Sequence, residues 1–388
     1  PHSNWCWGFD FDHESVHTQQ FIDSVNTFWL TEYKVDGFRF DFTKGFTNNT
    51  DPDGWNYDQS RVDILKRMAD EIWEANPDAY LILEHLTDNS EEEALSDYGM
   101  MLWGNMNYNY NEATMGWNSN SDLSWASYKE RGWSEPHLIT YMESHDEERL
   151  MYKNMEYGNS SGEYDITKMK IALQRVELAG CFFFTIPGPK MIWQFGELGY
   201  DYSIDHNGRV GRKPIKWDYF YHPERNRLYE VFSALINLKK SEEAFTSTDF
   251  TMSVSGKYKR INIAHSSMDV TILGNFDVEQ GSITPSFSQT GDWYEFFSGE
   301  TLSVSDVNAE ITLEPGEYRI YTTKQLETPQ IIQRVPEYPD KGSTKPFIYP
   351  NPAHDFIRIL NTDRADKLLI YNMQGQLIKS CKISPDTH

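Results

Sequence analysis

Cysteine is nearly absent. Cys6, Cys181 and Cys381 stand far apart in a chain of 388 residues. An odd count with no CxxC spacing leaves no disulfide framework and no ordinary zinc pattern. Cys181 sits in the apolar run Cys181-Phe182-Phe183-Phe184, the setting of a buried, inert thiol. No run of 18 apolar residues exists, so no transmembrane helix is expected. Basic residues are outnumbered, 35 Lys and Arg against 59 Asp and Glu, giving a net charge of −24. Nucleic acids and anionic membranes require a positive surface, so neither is an expected partner. Long internal repeats and low-complexity tracts are also missing. No signal peptide opens the chain, and Pro1 reads as the middle of a longer polypeptide, which leaves export open.

What is abundant is aromatic and acidic. Phe, Trp and Tyr make up 15% of the chain, which serves core packing or, at exposed rings, stacking against sugars. Acid runs such as Glu91-Glu92-Glu93 read as solvated faces, on a surface suited to a neutral substrate.

Residues 1–243 alternate strand-like and helix-like stretches, the pattern of parallel βα units. Helices are expected over 19–34, 57–76, near 123–130, over 166–184 and over 224–241, with Ser90 capping a short one. Strands are expected near 36–41, 80–84, 100–103, 138–143 and 190–195. A closed eight-strand barrel takes about 250 residues. Five βα units therefore make the expected fold α/β: a partial (β/α)8 TIM barrel, about strands 4–8, lacking the first three units. Residues 244–323 change to short alternating runs, expected to form an antiparallel β sandwich. Residues 324–346, rich in Pro, Gln, Lys and Glu, read as a linker. Residues 347–388 form a short β-rich tail, too small to hold a full core alone.

Three of the strand-like runs end in a carboxylate. They are Val35-Asp36-Gly37-Phe38-Arg39-Phe40-Asp41, Ala79-Tyr80-Leu81-Ile82-Leu83-Glu84 and the run from Leu138 through Glu143-Ser144-His145-Asp146. Retaining cleavage of a glycosidic bond needs two carboxyl groups about 5–5.5 Å apart, one ionised and one protonated. The cationic transition state gains from a third anion. Arg39 lies two residues before Asp41, on the same side of a strand, and would keep Asp41 ionised. Leu81-Ile82-Leu83 would raise the pKa of Glu84, as a general acid requires. Taken singly, Arg39–Asp41 is also a plain ion pair, Glu84 a solvated strand end and His145-Asp146 a helix cap. Together, in order and at strand ends, they point to catalysis on a sugar.

The segments Gly37-Phe38-Arg39-Phe40-Asp41, the strand ending at Glu84, and Ser144-His145-Asp146 resemble three signature regions of the α-amylase family, glycoside hydrolase family 13. Pro189-Lys190-Met191-Ile192-Trp193-Gln194-Phe195-Gly196-Glu197 resembles its eighth-strand segment. The resemblance implies Asp41 as nucleophile, Glu84 as acid/base and Asp146 as transition-state stabiliser. It implies that Arg39 orients Asp41, and that His145 and Lys44 bind sugar. Trp103, Asn105, Asn107, Tyr108 and Trp117 are expected in the acceptor-side loops, with Trp103 a substrate contact. The substrates implied are α-1,4-glucans; a glucan transferase or branching enzyme would use the same acids, and a carbohydrate-binding protein without turnover is a third reading. The family needs no organic or redox cofactor. Gly45 stands where many members have a His whose carbonyl helps hold a structural Ca²⁺, which puts calcium in doubt. Asp51-Pro52-Asp53-Gly54 reads as a plain turn. Tyr349-Pro350-Asn351-Pro352 and Leu368-Leu369-Ile370-Tyr371-Asn372-Met373-Gln374-Gly375-Gln376 resemble the sorting domain of type IX secretion substrates of Bacteroidetes, implying export to the cell surface or medium. Oligomeric state is left open.

Overall fold

The structure is a computed structural model that describes residues 11–49, 54–331, 347–349, 358–360, 367–371 and 376–382. Asp51, Pro52 and Asp53 of the suspected turn lie outside them, as do Pro350-Asn351-Pro352 and residues 372–375 of the tail motifs. The chain divides into two compact units, one reaching to residue 332 and one formed mainly by residues 333–388.

In the first unit, five strands lie side by side in one parallel sheet: β1 (Gly37–Phe40), β2 (Tyr80–Leu83), β3 (Met101–Asn105), β4 (Leu138–Tyr141) and β7 (Lys190–Met191). Between β4 and β7 come the small hairpin β5 (Ser160–Ser161) and β6 (Tyr164–Asp165). Parallel neighbours need crossovers, and helices supply them. These are α2 (Gln59–Ala75), α3 (Asn89–Ser96), α4 (Asn107–Met115), and α5 (Leu150–Tyr157) with α6 (Met169–Thr185). Helix α1 (Val16–Glu32) precedes β1 and α7 (Pro223–Ser241) follows β7.

Strand alternation divides the sheet residues into two layers. Leu81, Leu83, Leu102 and Leu138 join the main core with Val62, Leu65, Met68 and Ile72 of α2. On the other face Trp103, Ile139 and Tyr141 pack with Ile82, Met101 and Met191. The α2 positions follow the helical period, and Asp58 caps the helix by accepting the Ser60 N–H at 2.9 Å. Gly180 in α6 lets α7 approach, since a Cβ there would stand 2.5 Å from the Phe232 ring.

Three expectations are corrected. No α-helix forms over 123–130, only a 3-10 turn at Ser124–Ala126; the Asn-rich stretch 107–115 is helical instead. Asp88, not Ser90, caps α3, accepting the Ser90 N–H at 2.9 Å. The expected helix near 19–34 forms as α1, with Phe21, Val25, Phe28 and Trp29 exposed. Glu91 and Glu92 are buried rather than solvated, each facing a buried arginine.

A six-stranded antiparallel sheet follows. Its strands are β8 (Phe250–Ser253), β9 (Tyr258–Ile263), β10 (Val270–Asn275), β12 (Gly291–Glu295), β13 (Thr301–Val304) and β15 (Tyr318–Thr322). A two-stranded ribbon, β11 (Gly281–Ile283) and β14 (Ile311–Leu313), packs with it around Leu273, Phe287, Trp293 and Tyr321. Its other face, with Ile261, Ile263, Ile272 and Ile320, joins the core of α6 and α7. Arg175 of α6, fully buried, donates to the carbonyls of Ala113, Thr114, Phe276 and Asp277 and ties the two layers. Strands β11 and β13 were not foreseen; at three and four residues they carry too few alternating positions to stand out. Lys324 pairs with Glu242, and Leu326 and Ile331 pack on the core. In the second unit, β16 (Phe347–Tyr349) pairs with β17 (Arg358–Leu360), and β18 (Lys367–Tyr371) with β19 (Leu377–Lys382).

Candidate active site

Register places the first two acids side by side. Phe40 is opposite Leu83 in the parallel β1–β2 pair, so Asp41 and Glu84 leave adjacent strands at the same level, one strand spacing apart. Glu84 N–H donates to the Phe40 carbonyl, and Thr43 N–H donates to the Glu84 carbonyl, which closes both strand ends against each other. Gly37 permits this register: a Cβ there would lie 2.2 Å from the Tyr80 carbonyl oxygen.

Arg39 bridges the pair. Its Nη1 donates to Asp41 Oδ1 at 2.5 Å and its Nη2 to Glu84 Oε2 at 2.7 Å. Below it the Trp103 ring carries the guanidinium 4.1 Å from its centroid. The Asp41 side chain is 75% exposed and that of Glu84 15%. The two carboxyls are close enough to perturb each other's titration. Partial burial would raise Asp41, but Glu84 and Arg39 outweigh it and hold the group below the usual aspartate range. Glu84 moves the other way. Burial raises it, Asp41 raises it further, and the Phe42 N–H and Arg39 only partly oppose them. Two carboxyls displaced in opposite directions therefore sit together at the C-terminal ends of parallel strands.

Asp146 follows β4 by five residues. Its Oδ2 lies 3.2 Å from His145 Nε2, and its backbone carbonyl accepts Arg209 Nη2 at 2.5 Å. His145 stands between Trp103 and Trp193, with centroids 6.3 and 5.6 Å away. Burial raises the Tyr141 phenol, and the charges of Glu147, Glu84 and Asp146 raise it further against Arg39. Lys44, in the 3-10 turn Thr43–Gly45, holds its ammonium 3.7 Å from the Trp55 centroid. Trp103, expected to touch substrate, is 8% exposed and lies under Arg39. Asn105 closes β3, while Asn107 and Tyr108 are helical rather than in a loop; Trp117 follows the far end of α4.

Sequence reasoning missed Trp193 and Arg209 as neighbours of His145-Asp146. Trp193 stood in a segment already singled out; Arg209 comes from a loop 63 residues downstream with no local signal. Phe42 was missed as well: it adopts a left-handed φ of 48°, and its N–H reaches Glu84 Oε2 at 3.1 Å. The carbonyls near Gly45 are engaged within the protein. The Gly45 carbonyl accepts the Thr47 N–H, and the Lys44 carbonyl accepts Arg61 Nη1. Among the described residues no group of three or more His, Cys, Asp or Glu is placed to hold a metal. Nor, among them, is any helix long and apolar enough to cross a membrane.

Parallel βα units with carboxyl groups at neighbouring strand ends define a barrel-type α/β fold. Residues 8–272 match the family model described as the alpha amylase catalytic domain, and residues 347–388 match the secretion system C-terminal sorting domain. The chain belongs to the α-amylase family. It carries at its C-terminal end a sorting domain of the type IX secretion kind.

A 1,4-alpha-glucan branching enzyme of Photobacterium profundum is 23% identical over 271 residues, 64% of this chain and 35% of that enzyme. The chain thus spans about a third of the length of that relative. Among solved structures, an alpha-amylase from Geobacillus thermoleovorans complexed with acarbose superposes with a TM-score of 0.59 at 14% identity. That match covers 82% of this chain and 66% of the other. The type III pullulan hydrolase from Thermococcus kodakarensis also gives 0.59, at 18% identity, over 80% of this chain and 49% of its own.

Proposed function

We propose that the protein is a retaining glycoside hydrolase of α-1,4-glucans such as starch, glycogen and maltooligosaccharides. The observation that carries this reading is the Asp41–Glu84 pair, in register, bridged by Arg39 and displaced in opposite directions from ordinary carboxyl behaviour. Asp41 attacks the anomeric carbon while Glu84 donates its proton to the leaving glycosidic oxygen. A water then gives its proton to Glu84 and its oxygen to the anomeric carbon, freeing Asp41 with net retention. Arg39 and the Phe42 N–H both donate to Glu84 Oε2, so the transferable proton belongs on Oε1. Asp146 faces the developing positive charge, and His145, with Lys44 beside Trp55, holds sugar hydroxyls. Trp103 acts by supporting Arg39 at the sugar-binding floor.

We assign the five parallel strands to positions four to eight of the (β/α)8 barrel. The remaining layout is 1–243 barrel, 244–323 β domain, 324–346 linker and 347–388 sorting module. The enzyme works at the surface of, or outside, a Bacteroidetes-like cell and needs no organic or redox cofactor, and Gly45 leaves a structural calcium in doubt. A second reading, glucan transfer or branching, has the support of the branching-enzyme relative. Chromatography of the products from amylose tests both. Shorter linear oligomers with α-anomeric ends are expected; new α-1,6 branches would establish transfer, and no cleavage at all would reject the proposal.

A further inference from the structure

Behind the two acids lies a second set of charges that the reaction does not consume. Arg61 of α2 and Glu91 of α3 are fully buried and paired through two bonds, Nε to Oε1 at 2.6 Å and Nη2 to Oε2 at 2.8 Å. Arg61 Nη1 donates to the Lys44 carbonyl at 2.7 Å, three residues beyond Asp41, and Nη2 reaches the Asn56 carbonyl at 3.0 Å. Glu91 Oε1 also meets His85 Nε2 at 2.8 Å, directly after Glu84 in the chain.

The proton positions follow from donor and acceptor capacity. Burial would raise Glu91, but His85 and Arg61 hold it ionised, so it only accepts. Burial holds the His85 imidazole neutral despite Glu91, so its one proton sits on Nε2. Nδ1 is then an acceptor, and the single Thr43 hydroxyl proton has two acceptors in reach, His85 Nδ1 at 2.9 Å and the Glu84 carbonyl at 3.1 Å. Thr43 N–H in turn donates to the Glu84 carbonyl at 2.9 Å.

Both loops served by this chain of bonds contain a bulky residue in the left-handed region, Phe42 at φ 48° and Leu86 at φ 52°. Such backbone persists only where its surroundings over-determine it. At Phe42 the consequence is functional, because that turn aims its N–H at Glu84 Oε2. We infer that Arg61, Glu91, His85 and Thr43 form a positioning network that locks the Phe42 N–H onto Glu84 and holds Glu84 against Asp41. Its kinetic consequence rests on the reading of these acids as the reacting pair; its geometric consequence does not. A buried ion pair that served stability alone would leave the Glu84 carboxyl unaffected when the network is cut.

The test is Thr43→Val, which keeps shape and removes the hydroxyl, with Thr43→Ser as the conservative rescue. Protein labelled with ¹³C at glutamate side chains is titrated by NMR, with Glu84→Gln identifying the Glu84 signal. Loss of the Phe42 N–H bond removes a stabiliser of the charged form, so the Glu84 midpoint is expected to rise in Thr43→Val and return in Thr43→Ser. On maltooligosaccharides the alkaline limb of the kcat profile moves up with it, and kcat falls about tenfold while KM changes less than about twofold. A lower melting temperature with an unmoved Glu84 midpoint would overturn the inference. If Thr43→Val does not fold, Phe42→Gly carries the same readout. Gly leaves the left-handed conformation free to relax, and an unmoved midpoint there has the same meaning. The midpoint needs no substrate, so an inactive wild-type protein would sink the proposed function and leave this inference to be judged on the titration.

Discussion

Replacing Arg39 by methionine should move the whole pH profile upward and lower it. The guanidinium contacts both acids at 2.5 and 2.7 Å and favours the charged form of each. Asp41 must be ionised, so activity disappears as pH falls through its pKa; without Arg39 that pKa rises, and the acid limb shifts to higher pH. Glu84 must be protonated, so activity disappears as pH rises through its pKa; without Arg39 that pKa also rises, and the alkaline limb follows in the same direction. The limbs belong to the coupled pair rather than to either residue alone. The size of the loss depends on burial. The bond to Asp41, whose side chain is 75% exposed, counts at surface value, under about 1 kcal/mol. The bond to Glu84, 15% exposed, keeps most of a charge-assisted bond, about 2 kcal/mol. That is about 30-fold in kcat/KM. Arg39→Lys keeps the charge but reaches one carboxylate at a time, so it should shift the limbs less and still lose rate. The assay is kcat/KM for a maltooligosaccharide between about pH 3 and 9 for the three proteins. A profile that drops without moving, or whose acid limb moves down, would refute the assignment of Arg39 as the shared partner.

Glu84→Gln removes the proton donor and should lower kcat by about 10²–10⁴-fold, with far less loss on a substrate whose leaving group needs no proton; equal losses on both substrates would reject the acid role. Gly37→Ala forces a Cβ to within 2.2 Å of the Tyr80 carbonyl oxygen and should cost at least about 2 kcal/mol, read as a lower melting temperature. Burial pushes the Glu143 carboxyl up to about 7 from 4.5, against Arg149 and the Leu150 N–H. A folded pKa above the unfolded one makes its contribution increasingly unfavourable as pH rises from 4.5 to about 7. Glu143→Gln should therefore stabilise by about 3 kcal/mol at pH 8 and hardly at pH 4, and equal urea midpoint shifts at the two pH values would contradict this.

The site was legible where space follows sequence offset. Gly37 pairs with Tyr80 and Phe40 with Leu83, so a constant offset along β1 and β2 carries directly to the residues that follow, Asp41 and Glu84. A run that alternates and ends in an acid therefore announces both the strand and the position of the acid. The helix at Asn107–Met115 was not legible, because Asn107, Tyr110, Asn111 and Thr114 are buried polar or aromatic positions that break the usual apolar stripe. Asn107 accounts for its burial through tertiary bonds, its amide donating to the carbonyls of Met142 and Glu148, both from the segment after β4.

Glu91 shows the limit most clearly. Three consecutive glutamates are indistinguishable in sequence from a solvated face, and the first turn of a helix is where acids are ordinarily favoured by the backbone dipole. What reverses the reading is Arg61, thirty residues earlier, at a position that the period of α2 turns toward the strand ends. A buried cation with five donors needs acceptors from several segments at once, and the Lys44 and Asn56 carbonyls with Glu91 supply them. The paired acids Asp41 and Glu84 can be read from strand endings because one rule of geometry places both. The support beneath them cannot, because it is assembled from helices and loops whose meeting depends on the completed fold.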